Sequence, residues 1–260
     1  MTLLNKIRKD LTAKDNTGDV DFSFFDFAKF ESSMRKIDGS KCSLSDYIYK
    51  VHEAYYSVSG NKDYKGFVAK EGNWGLVYLG KMMKDFPDVK FVVMVRDPRD
   101  VFSSAKEISN THVTHFIFNT GGNAGHRMLD FSNKLYSYLN SSNFLFVRYE
   151  DLVINTKDVM SLVSNFLGVE FNSSMLIATT FGSLWRGNSS NRDLNFSTIS
   201  ASRVGRWKKD LDDFEIYAIE YFFKDYMKLW GYKFASKVNV KIDSSNRVIL
   251  EQLIETNREV

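Results

Sequence analysis

Five consecutive apolar residues, Phe91-Val92-Val93-Met94-Val95, run directly into Arg96-Asp97-Pro98, and this junction constrains the fold more than any other part of the chain. An apolar run without alternation is expected for a strand of a parallel sheet covered on both faces. Such a strand needs a crossover, and a helix start supplies it at once. Asp97 suits the N-cap, Pro98 suits the first turn, and Asp100 three positions past the cap completes a near capping box. A strand end followed by a helix start is where open α/β sheets bind ligands. Arg96 stands there with a planar fork of donors. A helix starting at Pro98 rises about 1.5 Å per residue and so carries the Ser104 hydroxyl roughly 9 Å along its flank. The two residue types together predict an anion held along that flank. Taken alone, they also fit a surface ion pair between Arg96 and Asp100.

Strand and helix patterns alternate along the rest of the chain. Residues 2–11 read as an amphipathic helix with Leu3, Leu4, Ile7 and Leu11 on one side, and an aromatic stretch covers Phe22 to Phe30. Ser43 caps a helix running to about Ser57; Phe67 to Lys70 reads as a short strand and Trp74 to Asp85 as a helix. Residues 109–125, rich in Asn, Thr, His and Gly, read as a long loop able to cover a substrate. A helix follows from about His126 to Leu139, then a strand from Phe144 to Arg148, Tyr149-Glu150-Asp151-Leu152, and a helix near Lys157 to Leu167 ending at Gly168. A second polar loop, 182–202, precedes Gly205-Arg206-Trp207-Lys208, a helix from Phe214 to Leu229 and an amphipathic helix near 245–255. This alternation predicts an α/β fold: a three-layer sandwich with a central parallel sheet flanked by helices. Residues 1–235 are expected to form a single domain and 236–260 a C-terminal amphipathic tail helix.

Composition narrows the function classes. Lys and Arg number 35 against 32 Asp and Glu, a net charge of +3, so no global field marks a nucleic-acid binder and anion recognition must be local. With 22 Phe, 13 Tyr and four Trp there is ample apolar area for one core. Cys42 is the only cysteine, which excludes an intramolecular disulfide and fits a reducing, cytoplasmic setting. No apolar run reaches the length of a membrane span or marks residues 1–30 as a signal peptide, so the Asn-x-Ser patterns at Asn140, Asn172, Asn188 and Asn195 are read as incidental. His112-x-x-His115 with His126 is the nearest approach to a metal cluster and lies in the expected loop, so no metal is expected.

These pieces together resemble the sulfotransferases that use 3'-phosphoadenosine-5'-phosphosulfate (PAPS), over roughly residues 65–233. Arg96-Asp97-Pro98-Arg99-Asp100-Val101 with Ser104 resembles the segment whose Arg and Ser bind the donor's 3'-phosphate. Lys70 fits the family's strand-end Lys, and Phe86-Pro87-Asp88 its later turn. Phe144 to Leu152 resembles the strand ending in Tyr-Glu-Asp-Leu, which implies Tyr149 near the adenine, and Phe166-Leu167-Gly168 matches the end of the helix after it. Thr179-Thr180-Phe181 with Asn188 resembles a segment that packs on adenine. Arg203-Val204-Gly205-Arg206-Trp207-Lys208 resembles a shortened form of the basic segment that closes over the 3'-phosphate. The resemblance implies a donor site of Arg96, Ser104, Tyr149, Thr179, Phe181, Arg203, Gly205, Arg206 and Trp207.

The family's phosphate loop for the 5'-phosphosulfate is not found; Gly121-Gly122-Asn123-Ala124-Gly125 follows no apolar strand and is a poor substitute. Met1-Thr2-Leu3-Leu4 resembles the residues just after the Ser-Gly of that loop, so the chain is expected to begin inside it, with Thr2 at the 5' end of the donor and the family's first strand missing. The resemblance implies Lys70 and Glu71 as catalytic residues. Glu31 and His52 are alternative bases, because the position where many members carry a His is Gly72. The implied reaction is in-line sulfuryl transfer to a hydroxyl or amine of a small-molecule or carbohydrate acceptor, without metal or nucleic acid; a non-catalytic, nucleotide-binding relative is the rival reading. The sequence leaves the oligomeric state open.

Overall fold

A computed structural model describes residues 26–37, 42–59, 66–70, 79–118, 134–180, 183–184 and 198–235, with the single positions Gly125 and Met128. The chain divides into two compact units, Met1–Val89 with Ile177–Thr198, and Lys90–Leu176 with Ile199–Val260. Among the described residues no helix is long and apolar enough to cross a membrane.

The first unit is built on a helix pair. Helix α1 (Phe27–Arg35) starts at Asp26, whose carboxylate accepts the Lys29 N–H at 2.9 Å. Helix α2 (Leu44–Ser59) starts at Ser43 as its sequence predicts: the Ser43 hydroxyl accepts the Asp46 N–H at 3.1 Å while the Asp46 carboxylate accepts the Ser43 N–H at 3.2 Å. Phe30 and Met34 of α1 pack with Ala54 and Val58 of α2. Helix α3 (Leu79–Asp85) is the described part of the helix expected from Trp74. Residues 66–70 are irregular rather than the expected strand. Phe67 docks on α2 instead, stacked 4.0 Å from His52 and edge-on to Tyr49 at 5.3 Å, which leaves Val68 86% exposed. Burial of this one ring outweighs strand propensity in a run too short to pair. Thr179–Thr180 forms a two-residue antiparallel pair with Ser183–Leu184.

The second unit holds the parallel sheet and the helices that flank it. Strand β1 (Phe91–Val95) pairs in parallel with β2 (Phe144–Arg148), in a register that runs from Phe91 opposite Phe144 to Val95 opposite Arg148. Val93 and Val95 turn into the core while Val92 is 37% and Met94 47% exposed, so β1 is well covered on one face and not, as its unbroken apolar run predicts, on both. Helix α4 (Pro98–Ser109) follows β1 with Asp97 as its N-cap and Asn110, at φ 48°, closing it. The segment expected as a loop contains helix α5 (Val113–Phe118), which buries Val113, Phe116 and Ile117. Its apolar residues at i, i+3 and i+4 form a single helical face inside a polar-looking composition.

Helices α6 (Tyr149–Ile154) and α7 (Thr156–Leu167) follow β2, and Gly168, at φ 74°, supplies the left-handed residue that ends α7. After a short helix α8 (Trp207–Asp210) comes α9 (Asp213–Phe222), opened by a capping box between Asp212 and Glu215. Helix α10 (Lys224–Leu229) completes the described chain. One continuous helix was expected over 214–229, but Phe223 breaks it. Ile219, Phe223 and Met227 are fully buried across that break, with Phe116 and Phe102 beside them.

Candidate functional site

Arg96 leaves β1 with its backbone held at both polar groups. The Tyr226 hydroxyl accepts the Arg96 N–H at 3.2 Å and donates to the Arg96 carbonyl at 3.1 Å. Burial pushes the Tyr226 phenol well above its ordinary range, so it stays protonated and able to donate. The next N–H, of Asp97, donates to Glu150 at 2.9 Å, and the Tyr232 hydroxyl donates to the other oxygen of the same carboxylate at 2.9 Å. Asp97 in turn accepts the Arg99 backbone N–H at 2.9 Å and pairs with its guanidinium at 2.6 Å. Arg99 reaches Glu220 at 2.5 Å and lies over the Trp207 ring at 3.9 Å. This buried network fixes the strand end, and Arg96 is presented by a rigid turn.

The Arg96 side chain follows from register. Val95 stands opposite Arg148, so the next residue on each strand brings Arg96 beside Tyr149, and its guanidinium lies 4.3 Å from that ring's centroid. One of its nitrogens donates to the Arg203 carbonyl at 3.4 Å, and its Nε is buried without a hydrogen-bond partner among the described residues. The guanidinium therefore keeps donors that the protein does not satisfy.

Asp100 corrects two expectations. It neither completes a capping box nor pairs with Arg96. Its carboxylate accepts the Gly205 N–H at 2.7 Å and the Trp207 N–H at 3.0 Å. Burial pushes the Asp100 carboxyl up, against the pull of these two amides. Gly205 has φ 73°, a left-handed turn that glycine adopts without a Cβ penalty, and this turn aims two amides of the late segment at one carboxylate. Ser103 donates to Asp210 at 2.5 Å, and Lys106 pairs with Glu215 at 2.7 Å, which extends the seam along α4.

Ser104 lies on the same side. With about 100° of turn per residue, Asp100, Ser104 and Glu107 share one helix face. Both flanking residues touch the late segment: Asp100 through the amides above, and Glu107 through Arg203 at 2.6 Å and Arg206 at 2.9 Å. Ser104 itself is half-buried. Arg96, Ser104, Tyr149, Arg203, Gly205 and Arg206, far apart in sequence, thus assemble around β1 and α4. Trp207 belongs to the same segment, with its ring buried beneath Arg99 as an anchor.

The other sequence candidates fall elsewhere. Lys70 is exposed in the irregular segment of the first unit, and Thr179 lies in the short antiparallel pair. Thr2, Glu71 and Phe181 lie outside the described residues. Of the alternative bases, Glu31 pairs with Arg35 at 2.5 Å on an exposed face of α1, and burial pushes the His52 imidazole down. Among the described residues no group of three or more metal-ligating side chains occurs. Sequence reasoning missed Glu107, Glu150, Tyr226 and Tyr232. For Glu107 the signal was present, because it follows Asp100 and Ser104 on one helical face.

The second unit is thus a parallel α/β unit with an arginine at its strand end and a basic segment folded back along the next helix. A model of the sulfotransferase family matches residues 5–173, and the chain belongs to that family. Among solved structures it is similar to the "Sulfotransferase Domain from the Curacin Biosynthetic Pathway", at 18% identity and a TM-score of 0.51, over 84% of this chain and 83% of that one; this likeness speaks for the fold. No curated protein sequence matches the chain. The family match includes Arg96, Ser104 and Tyr149 and ends before the 203–207 segment, which the structure joins to them.

Proposed function

We propose that this protein moves a sulfuryl group from 3'-phosphoadenosine-5'-phosphosulfate to a hydroxyl or amine of a small-molecule or carbohydrate acceptor. The observation that carries the reading is the convergence of Arg96, Ser104, Arg203 and Arg206 on one face of α4, together with membership of the family. In this reading Arg96 and Ser104 hold the donor's 3'-phosphate, Tyr149 supports the adenine, and the 203–206 segment closes over the phosphate. The acceptor atom attacks sulfur in line, the bond from sulfur to the bridging phosphate oxygen breaks, and its electron pair leaves with adenosine 3',5'-bisphosphate. The acceptor's proton passes to a base. Catalysis of this kind is chiefly alignment plus stabilisation of charge on the leaving phosphate. Lys70 and Glu71 as catalytic residues, and Thr2, Thr179 and Phe181 in the donor site, enter the proposal through the family resemblance alone.

Calorimetric titration tests the donor site. Adenosine 3',5'-bisphosphate should bind at least about tenfold more tightly than AMP, since the 3'-phosphate adds charge-assisted hydrogen bonds. Equal affinities would reject the reading. Transfer of label from radioactive donor to pooled hydroxylated acceptors tests turnover, and tight nucleotide binding without transfer would replace the enzyme with a nucleotide-binding module.

A further inference from the structure

We infer that Glu107 sets the affinity of this site by competing with the nucleotide's 3'-phosphate for Arg203 and Arg206. The inference rests on the donor reading above and adds to it a residue that the reading does not require. A single oxygen of Glu107, Oε2, accepts from Arg203 at 2.6 Å and from Arg206 at 2.9 Å. Two guanidinium groups converging on one anionic oxygen is the coordination that a phosphate oxygen takes. That oxygen also stands on the Ser104 side of α4, one helical turn further on. In the donor reading the 203–206 segment closes over an anion held by Arg96 and Ser104, and that anion then calls on the same N–H groups that Glu107 engages.

A carboxylate in this position can act in two ways, with opposite signs. As a clamp it would preorganise the two arginines, and its loss would weaken phosphate binding. As a competitor it must yield them, and its loss would strengthen binding. Backbone anchoring decides between the two. The 203–207 segment is already held through the Gly205 and Trp207 amides on Asp100 and through the Arg203 carbonyl on Arg96, so it does not depend on Glu107 for its position. Asp210 also pairs with Arg206 at 2.9 Å, which orients that guanidinium from the other side. The Glu107 side chain is more exposed than either arginine, at 35% against 18% and 27%, so it is the partner that water can most readily stabilise after release. Competition is the expected balance.

The test uses the full chain with Glu107→Gln, which keeps the shape and removes the charge, and Glu107→Ala, which removes both. Each is titrated by calorimetry with adenosine 3',5'-bisphosphate and with AMP. Both variants should bind the bisphosphate about tenfold more tightly than wild type, the worth of two partly exposed ion pairs relinquished, while AMP affinity stays within about twofold. A parallel gain for AMP would indicate general charge relief and overturn the inference. Unchanged or weaker bisphosphate binding in both variants, with wild type still preferring the bisphosphate over AMP, would overturn it and leave the donor reading intact. Wild type failing to distinguish the two nucleotides would overturn the donor reading and the inference together.

Discussion

Arg96 and Arg148 close two neighbouring parallel strands, yet one residue of register gives them different work. Arg148 stands opposite Val95, and Arg96 comes one step later; since successive side chains on a strand alternate, the two guanidinium groups leave on opposite sides. Each stacks on a tyrosine, Arg96 on Tyr149 at 4.3 Å and Arg148 on Tyr232 at 4.5 Å. Their charges are treated differently. Arg148 lies 4.0 Å from Glu150 and 3.9 Å from Asp151, so its charge is compensated within the fold. Arg96 meets a backbone carbonyl and makes no ion pair among the described residues, while the Nε of both arginines is buried without a hydrogen-bond partner among them. Arg96 feels the Asp100 carboxylate without pairing with it, and in the proposed reading its guanidinium is the one available to an external anion.

Substituting Arg96 should give the largest effect. Arg96→Ala should weaken binding of adenosine 3',5'-bisphosphate by about 1.5 to 3 kcal/mol, on the order of 10 to 150-fold, because a charge-assisted bond to the phosphate is lost. Calorimetry on the variant reads this directly, and unchanged affinity would remove Arg96 from the site. The melting temperature should fall far less than the affinity suggests, since Tyr226 holds the backbone of residue 96 and not its side chain.

Asp100 sharpens the contrast, because it secures the segment that gives Arg96 its carbonyl partner. Asp100→Ala leaves the Gly205 and Trp207 N–H groups without their acceptor and should destabilise the fold by roughly 2 kcal/mol in urea titration. Amide exchange at positions 205 and 207 should accelerate in the same variant. Exchange that stays as slow as in wild type would show that the segment is held by other contacts.

Arg148→Ala should do the reverse of Arg96→Ala. Losing the stack on Tyr232 and a partner of Glu150 should cost about 1 kcal/mol of stability, while nucleotide affinity stays within about twofold. A variant that lost affinity as Arg96→Ala does would show that register does not separate the two arginines.

Much of this was legible because it is local. The apolar runs of β1 and β2, the caps at Asp97 and Ser43, and the Gly168 stop each depend on a few adjacent residues, and each forms as predicted. Long-range contacts hid the rest. Asp100 has the sequence signature of a capping residue, but two amides from a segment far along the chain are better partners. Helix α5 was masked because Val113, Phe116 and Ile117 are interleaved with polar residues, and the break at Phe223 reflects a core that only the assembled helices create. The strand expected at Phe67 gave way to a ring contact with α2. Arg96 and Ser104 stand out in the sequence because motif and topology agree there, whereas the helical period places Glu107 on their face and only a second segment supplies its partners.

Stability should depend on acid between about pH 5 and 7.5, and His52 is one source of that dependence. Its imidazole is stacked on Phe67 and partly buried, which pushes its pKa below the ordinary value of about 6.5. The unfolded chain then takes up the proton more readily than the folded one. This contribution to stability is fully present above the unfolded value and is lost as the pH falls through it toward the folded value. His52→Phe keeps an aromatic ring against Phe67 and removes the titration. The stability difference between pH 7.5 and pH 5, read by urea unfolding, should therefore shrink in this variant by a fraction of a kcal/mol. A difference as large as in wild type would assign the acid sensitivity to other residues.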